Sequence, residues 1–180
     1  MKFKEETIDK ETLYEGKIVD LNLHDVRLPN GEVSKREIVN HPGAVAIIAY
    51  TADDKIIMVR QFRKALEKEI IEIPAGKLET GEQPEETAKR ELEEETGYKT
   101  DQLTKIGSFY TSPGFSDEIV HVYEAHTLYA GTVATDDDEF VELIEVTLDE
   151  ADKLIESGDI HDAKTMFAIQ HVKLKRIQNS

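Results

Sequence analysis

Apolar residues recur along this chain with two periods, and the switch between them marks out its elements. Near the N-terminus Val19, Leu21 and Leu23 alternate with Asp20, Asn22 and His24, the period-two mark of a half-buried strand; Asn30-Gly31 then gives a hairpin turn signal leading into SKREIV. GAVAIIAY, KIIMVRQF and EIIEIP follow, rich in β-branched residues, and read as central strands, the first two joined by a turn at Asp53-Asp54. LTKIGSF, EIVHVYEAHTL and FVELIEV return to strand further on.

The helical period takes over between these runs. Pro84 at a first helical position, Glu85 and Glu86 in the first turn and Gly97 just beyond the last bound a helix of about 13 residues. A second helix is expected from the capping box Thr147 to Glu150 to near Gly158. A third, from about Ala163, places Met166, Phe167, Ile169, Val172 and Leu174 over a broad apolar surface and closes with Lys173, Lys175 and Arg176, which suit its dipole. Strands mixed with helices at this spacing predict an α/β fold with a sheet covered on its faces. No linker, repeat or low-complexity tract divides the chain, so residues 41–180 are expected to form the main domain and residues 1–40 an N-terminal antiparallel β subdomain. Forty residues of sheet bury too little to stand alone. They are expected to lean on the main domain or on a second subunit.

Composition narrows the chemistry. The chain has 180 residues and no cysteine, which excludes disulfides, thiol nucleophiles and cysteine-held metals and fits a reducing cytoplasm. MKFKEETIDK has no apolar core of a signal peptide, and the longest apolar run, Ala44 to Tyr50, is too short to span a bilayer. A formal charge of −16 discourages binding to nucleic acid or an anionic membrane. Residues 79–95 alone carry eight glutamates against Lys89 and Arg90. That concentration of charge calls for a counter-ion.

On a helix Glu91 and Glu95 share a face that Glu94 borders, while Glu93 points away and Ala88 and Leu92 form a neighbouring stripe able to pack on the sheet. Like charges at this spacing disfavour the helix by a few tenths of a kcal/mol per pair, roughly, and a divalent cation reverses that cost. All-oxygen ligands suit Mg²⁺ or Mn²⁺ rather than zinc. A solvated acidic face, with Lys89 and Arg90 in ordinary ion pairs, is the plain alternative.

The spacing around these glutamates decides between the two. GKLETGEQPEETAKRELEEETGY, Gly76 to Tyr98, resembles the Nudix hydrolase signature: a glycine, five residues, a glutamate, seven residues, then R-E-U-x-E-E-x-G-U with U bulky and aliphatic. Gly76, Glu82, Arg90, Glu91, Leu92, Glu94, Glu95 and Gly97 match, and Tyr98 departs from the pattern by being aromatic. The resemblance implies a Nudix fold, a mixed β-sheet sandwiched between helices. It also implies metal binding by Glu91, Glu95, Glu94 and the carbonyl of Ala75, with Arg90 orienting the carboxylates.

Other segments resemble the ADP-ribose pyrophosphatase branch of that family. Pro113 lies fifteen positions after the signature, within TSPGFSDE, and PGAVAI, QFR, IPAGK and DAKT agree as well. By this resemblance Arg63 contacts the diphosphate, Glu118 sits near the metal site or the terminal ribose, Gly114 belongs to the substrate site, and Arg36 helps to bind the substrate, from this subunit or a partner. The base that activates water is expected in TDDDEFVE after the signature, with Glu139 the candidate and Asp137 and Glu142 as alternatives. The expected products are AMP and ribose 5-phosphate, and the branch's habit of exchanging its N-terminal sheet between subunits implies a homodimer. A Nudix enzyme for another nucleotide and a noncatalytic Nudix-like ligand sensor remain as alternatives. Walker, HExxH and G-x-S-x-G readings fail on their spacing.

Overall fold

The computed structural model describes residues 2–134 and 140–178. The chain folds into two compact units, Met1–Gly43 with Phe109–Ile119, and Ala44–Ser108 with Val120–Ser180. Among the described residues no helix is long and apolar enough to cross a membrane.

In the first unit β1 (Glu6–Glu15), β2 (Asp20–Arg27) and β3 (Val33–Asn40) form an antiparallel sheet in that order. The hairpin between β2 and β3 turns at Asn30-Gly31, where Gly31 has φ 90° and the Asn30 carboxamide oxygen accepts from the Glu32 N–H. The burial of β2 differs from its alternation. Asn22 and Val26 are buried while Leu21 and Leu23 are only partly covered. Asn22 tolerates this because its amide is satisfied on both sides: its oxygen accepts from Thr12 at 2.8 Å and its nitrogen donates to Asn40 at 2.8 Å. Asn40 in turn donates to Asp117 at 2.7 Å, and the Val39 N–H donates to the Phe115 carbonyl at 2.8 Å, so the TSPGFSDE loop is laid along β3.

The second unit holds the remaining elements, apart from Phe109, Tyr110 and Ile119 at the facing ends of β9 and β10: β4 (Ala44–Ile48), β5 (Ile56–Arg63), β6 (Lys68–Glu72), β7 (Ala75–Lys77), α1 (Pro84–Thr96) and β8 (Tyr98–Lys99), then β9 (Gln102–Tyr110), β10 (Ile119–His126), β11 (Tyr129–Ala130), β12 (Val141–Val146), α2 (Leu148–Ser157) and α3 (Ala163–Gln178). A mixed sheet runs β7-β4-β10-β9, with β4 parallel to β10 and antiparallel to β7. An antiparallel sheet runs β12-β5-β6, and β8 pairs with β11. The helix bounds read from the sequence hold: α1 opens on Pro84 and stops at Gly97, and α2 carries the Thr147–Glu150 capping box and stops at Gly158.

Helices cover both faces of the mixed sheet. Val45, Ile47 and Ala49 pack with Ala88 and Leu92 of α1 and with Tyr123 and Ala125 of β10, all essentially excluded from water. Glu124, between the two β10 residues, must point to the opposite face. There Lys175 of α3 donates to both of its oxygens, at 2.7 and 2.9 Å. The buried stripe of α3 is Thr165, Ala168, Ile169 and Val172; Phe167 and Leu174, expected within it, lie at its exposed margin because they fall outside the i, i+3, i+4, i+7 set.

Candidate active site

Helix α1 is held by its apolar stripe. Ala88 and Leu92 have no exposed surface, and this anchors the neighbouring positions, Glu91 and Glu95, over the loop between β6 and α1. Glu95 is buried, and its Oε2 accepts from the Ala75 N–H at 3.0 Å. Glu91 lies against Gly76: a Cβ built on that glycine falls 1.9 Å from the Glu91 carboxyl carbon and 2.1 and 2.3 Å from its oxygens. The need for glycine here is close approach of a carboxylate to backbone, whereas Gly81, with φ 86°, serves the turn. Two of the signature glutamates are therefore seated on consecutive residues of β7.

Arg90 organises the rest. Its Nη1 donates to Glu91 and to Glu94, each at 2.8 Å, while Nε and Nη2 donate to the two oxygens of Glu82 at 3.2 and 3.1 Å. Thr87 donates to the same Glu82 at 2.8 Å. The hydrogen bonds from Arg90 hold the Glu82 carboxyl below its ordinary range, and those to Glu82, with the charges of Glu91 and Glu94, push the guanidinium further up from its own. Among the described residues no group of three or more His, Asp or Glu side chains stands in the geometry of a metal cage. Glu91 and Glu94 meet on Arg90, and Glu95 meets the Ala75 N–H.

The donor set nevertheless fits a hard divalent cation. Every side-chain candidate is a carboxylate, four carboxylates pair with the single guanidinium of Arg90, and the absence of a Cβ at Gly76 leaves Glu91 its seat against that residue.

The other residues expected at the site have well-defined partners. Arg63, at the end of β5, has Nε 2.7 Å and Nη2 2.6 Å from Oε2 of Glu72. In the first unit Arg36 is held by Glu5 at 2.9 and 2.7 Å and also donates to Ser34 and the Lys35 carbonyl. Glu118, in the same unit, accepts from Thr111 at 2.5 Å and lies 3.8 Å from His41, while Gly114 has open space where a Cβ would stand. Glu142 on β12 is largely exposed and pairs with Arg60 at 3.3 Å. Glu139 and Asp137 lie outside the described residues.

Two features escaped the sequence reading. Glu93, read as pointing away, accepts from Lys99 at 2.9 Å and from the Thr132 N–H at 3.2 Å. With Gly131 N–H donating to the Gly97 carbonyl at 2.7 Å and Ala134 N–H to the Glu94 carbonyl at 3.1 Å, residues 131–134 are stitched to the C-terminal turn of α1. The other is Glu72, almost wholly buried, whose second oxygen accepts from Lys164 at 2.6 Å. Its signal was the DAKT segment, which the sequence marks without a role.

Comparison with known proteins agrees with this geometry. Residues 40–168 match the NUDIX domain, and residues 5–39 match the nucleoside diphosphate sugar hydrolase N-terminal domain. An ADP-ribose pyrophosphatase of Bacillus subtilis (strain 168) is 62% identical over 174 residues, spanning 96% of this chain and 94% of that one. A methanol dehydrogenase activator of Bacillus methanolicus is 56% identical over 175 residues, 96% of this chain and 95% of that one. The crystal structure of an ADP compounds hydrolase has the same fold, with a TM-score of 0.86 at 22% identity over 98% of this chain and 96% of that one. Nudix hydrolases generally need a divalent metal, in keeping with the carboxylate-rich helix. A domain match over residues 40–168, most of the chain, makes this protein a member of the Nudix family.

Proposed function

We propose that the chain hydrolyses the diphosphate of ADP-ribose, and of related nucleoside diphosphate sugars, to AMP and ribose 5-phosphate, with Mg²⁺ or Mn²⁺ as cofactor. The observation that carries the reading is the seating of the Glu95 carboxylate on the Ala75 N–H and of the Glu91 carboxylate against Gly76, which brings two signature glutamates to consecutive residues of β7. The choice of ADP-ribose rests on the activity named for the Bacillus subtilis relative.

A diphosphate resists hydrolysis because its anionic oxygens repel a nucleophile and water is a poor one. Bound metal supplies charge neutralisation and eases the ionisation of water. Glu91, Glu95, Glu94 and the Ala75 carbonyl are the residues we assign to hold it. Arg90 keeps Glu91 and Glu94 oriented through one nitrogen while Glu82 fixes the rest of its fork. Arg63 binds the diphosphate through charge-assisted hydrogen bonds. Glu139 accepts the proton of the attacking water, with Asp137 or Glu142 in its place if Glu139 is dispensable. By the same resemblance we assign Glu118, near the metal site or the terminal ribose, Gly114 and Arg36 to substrate binding, Arg36 from this subunit or a partner.

Magnesium-dependent release of AMP from ADP-ribose tests this reading, with [18O]water to identify the phosphorus attacked. Glu95→Gln is expected to lower kcat by about 100-fold or more. A wild-type chain that binds ADP-ribose and releases it intact is a sensor; one that cleaves another nucleotide faster has a different substrate. We also propose a cytoplasmic homodimer joined through the N-terminal sheet, where Ile8, Leu13 and Tyr14 of β1 are exposed. A single monomeric boundary at micromolar concentration in sedimentation would overturn that.

The 56% identity to a methanol dehydrogenase activator supports a second reading, in which the chain activates a methanol dehydrogenase through the same hydrolytic site. Stimulation of a methanol dehydrogenase by wild type and not by Glu95→Gln is its test.

A further inference from the structure

Glu72 divides its two carboxylate oxygens between two cations. Val59 pairs with Glu72 across β5 and β6, and Val59, Gln61 and Arg63 share one face of β5, so the Arg63 side chain reaches back along that face to Glu72. Both Nε and Nη2 of Arg63 converge on Oε2, at 2.7 and 2.6 Å, and Oε1 is occupied by Lys164 at 2.6 Å. The Glu72 side chain is 3% exposed and that of Lys164 15%, whereas Arg63 retains 39%. Among the described residues, Nη1 of Arg63 has no hydrogen-bond partner.

Lys164 is itself fixed. It donates to Asp162 Oδ1 at 2.9 Å, and that oxygen also accepts from the Thr165 N–H at 3.1 Å, capping α3. Thr165 Oγ1 in turn accepts from the Ile73 N–H at 3.0 Å. The first turn of α3 thus grips Glu72 and Ile73, only two residues before the Ala75 N–H that holds Glu95. One short run of chain carries both the partner of Arg63 and the seat of the signature glutamate.

We propose that Glu72 is a positioning residue, fixing the Nε–Nη2 edge of Arg63 so that the Nη1 side is presented to the substrate diphosphate. Lys164 makes this possible. By occupying Oε1 it prevents Glu72 from closing a two-oxygen fork around Arg63, which would turn the guanidinium and bury its remaining donors. The proposal rests on the reading of the chain as a nucleoside diphosphate sugar hydrolase, and adds residues to it whose effect passes wholly through Arg63.

A pair of double-mutant cycles tests it, with kcat and KM for ADP-ribose in Mg²⁺ and, independently of turnover, the Kd for ADP by calorimetry. Arg63→Ala is expected to raise KM and the ADP Kd about tenfold while kcat changes less than about threefold, the pattern of lost uniform binding. Glu72→Gln is expected to raise both by a similar factor in the wild-type background and by less than about twofold in Arg63→Ala. Lys164→Met, which keeps the carboxylate and a side chain of similar length, carries the same test if Glu72→Gln does not fold. Equal factors in the two backgrounds, or a Lys164→Met protein with wild-type KM and ADP affinity, would overturn the proposal, because Glu72 and Lys164 would then be acting independently of Arg63. If Arg63→Ala binds ADP as wild type does, there is nothing to position and the proposal falls, while hydrolysis stands. If wild type releases no AMP, the hydrolytic reading fails, and the ADP cycle still decides whether Glu72 acts through Arg63.

Discussion

Arg90 and Glu72 sit at the centres of two ionic networks built on opposite plans. Around Arg90 a single guanidinium serves four carboxylates, Glu82, Glu91 and Glu94 closely and Glu79 at 4.0 Å. Around Glu72 two cations, Arg63 and Lys164, meet two carboxylates, Glu72 and Asp162. The first network is left with surplus negative charge, which a bound cation can balance. The second is balanced within itself, and what it leaves over is hydrogen-bonding capacity on Arg63, suited to an anion. Charge balance thus separates the network we propose to hold a metal from the one we propose to offer a phosphate contact.

The sharpest way to break the first network leaves its charges untouched. Gly76→Ala places a methyl where the Glu91 carboxyl lies, with the Cβ 1.9 Å from its carbon, so either the side chain or β7 must move by about an ångström or more. A misplacement of that size costs about 100-fold in rate. We expect kcat/KM to fall by about that factor with the circular dichroism unchanged, since the apolar stripe of α1 is not touched. The corresponding change at Gly114, which has open space around it, is expected to leave the fold and the metal dependence as they are.

The contrast also separates what could be read in the sequence from what could not. Helix α1 was legible to the residue because Pro84 and Gly97 act locally, and Arg90 with its carboxylates was legible because all lie within one helix and the loop before it. Glu72 was not: in EIIEIP it looks like any polar position of a strand, and its partner Lys164 is 92 residues away, beyond the reach of any period. Arg36 illustrates the same limit, since Glu5, its bidentate partner, comes from 31 residues upstream. Asn22 was read onto the open face of its strand because polarity was taken for exposure. Hydrogen bonds from neighbouring strands, invisible in a single segment, let it be buried instead.

Stability distinguishes the two plans as well. Arg90→Ala leaves three partly covered carboxylates facing one another with no cation, at an expected cost of about 2 kcal/mol, or roughly 4–8 °C in Tm for a chain of this size. Arg63→Ala leaves Glu72 still paired with Lys164 at 2.6 Å, and the expected loss is smaller, about 1 kcal/mol or roughly 2–4 °C. Thermal melts of both in the absence of divalent metal check the order. A larger loss for Arg63→Ala would mean that the balanced network, and not the overloaded one, carries more of the stability. Added Mg²⁺ is expected to narrow the deficit of Arg90→Ala and to leave that of Arg63→Ala unchanged, because only the first network has negative charge to spare.

The smallest effect concerns protons. Glu82 is held below its ordinary value of 4.5, first by the hydrogen bonds from Arg90 and then by that from Thr87. Between the lowered folded value and 4.5 the unfolded chain binds more protons at this position than the folded one, so stability rises with pH across that window. The contribution is complete above about pH 4.5 and is lost as pH falls through the folded value. Glu82→Gln removes the titration, and its expected cost at neutral pH is about 1 kcal/mol. In melts from pH 7 down to about 3, the gap in Tm between wild type and Glu82→Gln is therefore expected to stay constant above about pH 5 and to close in acid. A gap that persists unchanged through the acid range would mean that Glu82 supports Arg90 by shape alone, and that the overloaded network draws no stability from this carboxylate's charge.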